Sequence, residues 1–167
     1  MHLTDRRLAF FRTFGFLSFP GLFVDEIGAI DNAFEATWGD RGGGHGGHQH
    51  DGTSRSCIVP FIDQTERLSS LLDDPKIIGI ASALLGDDFN YMSSDGNYYV
   101  GDTQWHSDGW RTNGQRHIKL AFYLDPVDRT SGCLRVIPGS HHIDDSFAQE
   151  LKSCLLYTSD AADDLTR

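Results

Sequence analysis

The segment Gln104-Trp105-His106-Ser107-Asp108-Gly109-Trp110 holds the residues whose types and spacing could do chemistry. In an extended chain residues i and i+2 project to the same side, so His106 and Asp108 can offer an imidazole nitrogen and a carboxylate oxygen to one cation. A mixed N/O pair suits a first-row divalent ion, and one further histidine would complete the facial triad of a non-haem Fe(II) centre with positions open to substrate and O2. The same two residue types also arise as a surface pair on a turn. Trp105 and Trp110 flank the motif, where they would either wall a pocket or lie in a core.

A second group of candidate ligands lies in Gly39 to Ser54, where Gly42, Gly43, Gly44, Gly46 and Gly47 interleave with His45, His48 and His50. So much glycine favours a flexible loop. Its histidines are either incidental or, through His48 and His50, a place for Zn²⁺. The cysteines, Cys57, Cys133 and Cys154, are odd in number and form no C-x-x-C, which fits neither a disulfide framework nor a zinc site and makes a reducing cytoplasm the default.

The elements that must position these residues follow from periodicity. Residues 4–14 read as a helix with Gly15 at its C-terminal cap, and Phe16–Phe19 as a strand stopped by Pro20-Gly21. Residues 24–37 read as a second helix, Ser56–Val59 as a strand closed by Pro60, and 75–85 as a helix capped by Asp74, opened by Pro75 and ended by Gly86. From there the period changes to two. Phe89–Met92 and Asn97–Val100 read as aromatic strands, and Ile118, Leu120, Phe122 and Leu124 alternate onto one face of 117–124, leaving His117, Lys119 and Tyr123 on the other. Cys133–Ile137 is a further strand, ended by Pro138-Gly139. Helices first and short strands after predict a mainly β, α+β architecture, antiparallel, with helical support on one side.

The chain of 167 residues has 14 Lys+Arg against 24 Asp+Glu, a formal charge of −10. An acidic surface gains no counterion release from a nucleic acid and no attraction to an anionic membrane. No apolar run approaches the roughly 18 residues of a membrane span. A small-molecule substrate is the partner these exclusions leave; oligomeric state is not readable from sequence.

Three stretches in order, Phe14-Gly15-Phe16-Leu17-Ser18-Phe19-Pro20-Gly21-Leu22-Phe23, Trp105-His106-Ser107-Asp108 and Ser131-Gly132-Cys133-Leu134-Arg135-Val136-Ile137-Pro138-Gly139-Ser140-His141, make the chain similar to the phytanoyl-CoA dioxygenase family. That resemblance implies a double-stranded β-helix, a cupin-like jelly roll, and an oxygenase using Fe(II), 2-oxoglutarate and O2 to hydroxylate an unactivated C–H bond. It implies His106 and Asp108 as metal ligands, with His141 and His142 in a turn that supports the fold. Lys119 could meet a carboxylate of cosubstrate or substrate, or stand solvated on the outer face. The alternative from another class is a non-catalytic cupin-like metal- or ligand-binding module.

The family's third histidine ligand, and the arginine that pairs with the far carboxylate of 2-oxoglutarate, have no matching segment here, and the 25 residues after His142 contain no histidine. Arg111, Arg116 and Arg135 are equal in spacing as replacements for that arginine. Residues 154–167 leave the strand pattern and resemble a translated sequencing-adapter tail. Residues 1–153 therefore read as the N-terminal part of an oxygenase domain, incomplete at its C-terminus and inactive as it stands. The uninterrupted gene is expected to encode a histidine and an arginine beyond residue 153; sequencing it settles the point, and a native stop codon at Arg167 would overturn it.

Overall fold

The computed structural model describes residues 1–40, 50–103, 105–106, 116–142, 146 and 150. Among the described residues these elements follow one another: α1 (Asp5–Phe14), α2 (Ile27–Asp40), β1 (Ser56–Ile58), α3 (Glu66–Ser69), α4 (Pro75–Leu85) and β2 (Gly96–Tyr98), with the 3-10 turns Ile62–Gln64 and Ser70–Asp73 on either side of α3. The chain divides into two compact units. One comprises Met1–Leu3, Pro20–Asp102 and Gly114–Cys133; the other Thr4–Phe19, Thr103–Asn113 and Leu134–Arg167.

The first unit is built on an aromatic core. α2 places Ile30, Phe34 and Trp38 at i, i+4 and i+8, so all three fall on one helical face and are buried. Phe34 meets Phe61 at a centroid distance of 5.0 Å and Tyr98 at 5.3 Å, and Trp38 packs edge-on against Tyr98 at 4.8 Å. Leu68 and Leu71 close the cluster from α3 and the 3-10 turn after it. These two short elements went unread in the sequence, although Thr65 caps α3 by accepting from Leu68 N. α4 obeys its sequence signals: Asp74 accepts from Lys76 N, Pro75 opens the first turn and Gly86 ends it.

β1 and β2 pair antiparallel with Ser56 opposite Tyr98, Cys57 opposite Asn97 and Ile58 opposite Gly96. Gly96 is buried with the Phe61 ring where its Cβ would stand, 2.2 Å from the nearest ring atom, so glycine lets that aromatic reach the sheet. The charges outside the core meet at Glu26, which takes Lys76 Nζ at 2.6 Å and Arg67 Nη2 at 3.0 Å. The Lys76 bond, then the Arg67 bond, hold its carboxyl below the ordinary range.

The β content corrects the sequence expectation. Among the described residues the only ladder is β1–β2, and Phe16–Phe19, Phe89–Met92, 117–124 and Cys133–Ile137 carry none, so the described architecture is helix-rich with one two-stranded sheet. Alternation tells which side chains share a face; a strand also needs a neighbour to take its backbone N–H and C=O groups, which periodicity does not supply. Of the predicted apolar face only Ile118 and Leu124 are half-buried, while Leu120 and Phe122 are exposed, as Lys119 is. Residues 154–167, the expected tail, lie outside the described residues. No helix of the described residues is long and apolar enough to cross a membrane.

Replacing Gly96 by Ala drives a methyl into the Phe61 ring and is expected to cost about 1–3 kcal/mol, read as a lower urea midpoint at unchanged m-value. Glu26 titrates lower folded than unfolded, so its stabilisation is complete above the unfolded value and is lost as pH falls toward the folded one. The melting temperature should therefore drop in acid more steeply for the wild type than for Glu26→Gln, with the variant the less stable at neutral pH; parallel curves would contradict this.

Candidate functional site

The second unit contains α1, Trp105, His106 and Leu134–His142, and is organised around one helix end. The last four carbonyls of an α-helix have no partner within it. In α1 those of Phe11, Arg12, Thr13 and Phe14 are all answered: Gly15 N donates to Phe11 O at 2.8 Å and Gly139 N to Phe14 O at 3.0 Å. His141 Nε2 donates to Arg12 O at 3.1 Å, and His142 Nε2 to Thr13 O at 3.3 Å. A carbonyl only accepts, so each Nε2 carries a hydrogen. Gly15 has φ +82°, and a Cβ there would stand 2.5 Å from His141 Nδ1; both facts demand glycine. At the other end Thr4 caps the helix, and Phe10 packs on Phe14 and Phe16 at 4.6 and 5.4 Å.

From this turn the chain leads back to Arg135, whose guanidinium carbon lies over the Trp105 ring, 5.5 Å from its centroid. Trp105 is half-buried and His106, next in sequence, is exposed. Asp108, Trp110 and Arg111 lie outside the described residues, as do His45 and His48. Among the described residues no group of three His, Cys, Asp or Glu gathers to hold a metal. His141 and His142 have their Nε2 atoms on helix carbonyls, the supporting place expected of them.

The remaining sequence candidates sit in the first unit. His50 is no loose loop residue: its Nδ1 is 3.0 Å from Ser56 Oγ and its ring stacks on Tyr98 at 4.8 Å. Lys119 is exposed, with Nζ 3.8 Å from Asp95 Oδ1. Arg116 is exposed.

Sequence reasoning missed the group around Lys119. Arg55 donates through Nε and Nη2 to Asn97 Oδ1 at 2.9 and 2.6 Å, lies 3.6 Å from Asp95 Oδ2, and covers the Tyr99 ring at 4.6 Å. Two cations thus share one carboxylate, a locally positive place in an acidic chain. Only the β1–β2 register brings Arg55 to residues 95–99, and no spacing within the sequence announces it. Beside it, burial pushes the Cys57 thiol up, so the inert thiol rather than the reactive thiolate is held there. Burial, and then the hydrogen bond donated to Glu35, also raise the Tyr98 phenol, which stays protonated as a donor.

Residues 11–155 match the family model described as Phytanoyl-CoA dioxygenase (PhyH). The match encloses the metal-type motif at 105–108 and the whole of both flanking stretches that resemble the family. No match is found among curated proteins or among solved structures. An imidazole and a carboxylate are the donor types that Fe(II) takes in such proteins, so the pair fits that metal in kind.

Gly15→Ala is expected to lower stability by about 2 kcal/mol or more, because it adds the clash with His141 to the left-handed backbone cost. Gly21→Ala, at φ +71° in open space, isolates the backbone cost and should lose only about 1 kcal/mol. Equal losses in denaturant melts would show that the imidazole yields without cost.

Proposed function

The chain belongs to the phytanoyl-CoA dioxygenase family, and from that premise we propose that its parent is an Fe(II)- and 2-oxoglutarate-dependent dioxygenase acting on an unactivated C–H bond of a small organic molecule. The observation that carries the reading is the His106/Asp108 spacing inside a family match spanning residues 11–155. His106 supplies an imidazole nitrogen and Asp108 a carboxylate oxygen to the metal. When bound, Fe(II) supplies, with 2-oxoglutarate and O2 as cosubstrates, the oxidising power that no side chain has. Trp105 and Trp110 wall the pocket and exclude water, and Lys119 offers its ammonium to a carboxylate.

Residues 1–153 form part of a larger β-barrel in this reading, with 154–167 foreign to it, and a reducing cytoplasm is its setting. What supports the incomplete barrel is the apolar surface on segments with strand alternation and no ladder: Leu120 is 38% exposed, Phe122 37%, Leu134 66% and Val136 41%. Such residues belong against neighbouring strands.

Anaerobic addition of Fe(II) and 2-oxoglutarate is expected to give the weak visible charge-transfer band of an Fe(II)–oxoacid chelate in the parent, and to lose it in His106→Ala and Asp108→Ala. Tight Zn²⁺ uptake that survives both substitutions would favour the binding-module alternative through the loop histidines. In size-exclusion chromatography the 167-residue chain should run as dimers or larger species; a monodisperse monomer with a cooperative melt would count against the incomplete barrel.

A further inference from the structure

The sequence leaves Arg111, Arg116 and Arg135 equal. Arg111 lies outside the described residues; of the other two, Arg116 is exposed and Arg135 is seated on the dipeptide that carries the candidate ligand. Its own place is secured four to seven residues further on, where Gly139, His141 and His142 bind the carbonyls of α1. One segment is thus tied to a helix end at 139–142 and presses a cation on Trp105 at 135. The side chain of His106 points wherever the backbone at 105–106 directs it, and an indole held by a guanidinium over its face limits that backbone.

We propose that Arg135 is a positioning residue for His106, holding the Trp105 ring so that the imidazole is presented to the metal. The inference rests on the reading of His106 as a ligand. It assigns Arg135 a role that runs through the Trp105 ring, over which its guanidinium carbon lies.

The test uses the full chain in two stages. In metal-free protein, Arg135→Met should shift the Trp105 indole N–H resonance, assigned by its loss in Trp105→Phe, and the His106 ring signals, while the Trp38 indole stays in place; Arg135→Lys should restore part of the shift. In Co²⁺ titrations followed by visible absorption, Arg135→Met and Trp105→Leu should each weaken affinity roughly 10-fold or more. The double variant should lose little beyond either single one, since both remove the same contact. Unmoved His106 signals, or losses that simply add in the double variant, overturn the proposal. If Arg135→Met does not fold, the Arg135→Lys and Trp105→Leu pair carries the same comparison. Should this chain, without a matching third ligand, take up no Co²⁺, the His106 signals alone decide whether Arg135 sets its orientation.

Discussion

A helix end in need of donor partners is the constraint on which the second unit depends. α1 has no buried residue, so packing of a hydrophobic face does not hold it. Its last four carbonyls are answered one for one, by Gly15 within the local turn and by Gly139, His141 and His142 from 125 to 129 positions further along. Each such bond is worth only about 0.5–1.5 kcal/mol net. Their joint effect is geometric: they fix the turn at 138–142 to the end of one helix, and the turn fixes the direction of the residues leading into it, Arg135 among them.

The first unit rests on a different principle. Ile30, Phe34 and Trp38 form a stripe that meets Phe61 and Tyr98 across the β1–β2 pair, and Gly96 makes room for the closest of these approaches. The aromatic stack extends to His50, which is how the residue after the glycine-rich stretch gains a fixed place. The ionic group at Glu26 and the group around Asp95 lie at the margins of this core, where Arg67, Lys76, Arg55 and Lys119 remain partly in water. Exposed pairs of this kind contribute little stability singly, so their interest lies in where they place charge.

Much of the helical structure was legible because its signals are local. Thr4 and Gly15 bracket α1, and Asp74, Pro75 and Gly86 bracket α4 within a residue of the structure. The strand at 56–59 was legible for the same reason, bounded by Pro60. The ladders were not, since alternation at 117–124 and 133–137 names a face and is silent on the partner that must pair with it. The candidate site divides in the same way. The His106–Asp108 spacing is a local signal, whereas Arg135 over Trp105 and Arg55 beside Asp95 join residues 30 and 40 apart and exist only once the chain has folded. The family resemblance, by contrast, was readable from the order of three short stretches, and the match over residues 11–155 agrees with it.

The clasp on α1 also carries a consequence for biosynthesis. A ten-residue helix with four open carbonyls is marginal in water, and its imidazole partners leave the ribosome 129 residues after it. At about 5–20 residues per second that delay is roughly 6–26 s. Phe10 and Phe14, still about two-fifths exposed in the finished fold, must wait out that interval on a nascent chain without their clasp. Slowing translation ahead of the turn at 139–142 would lengthen their exposure.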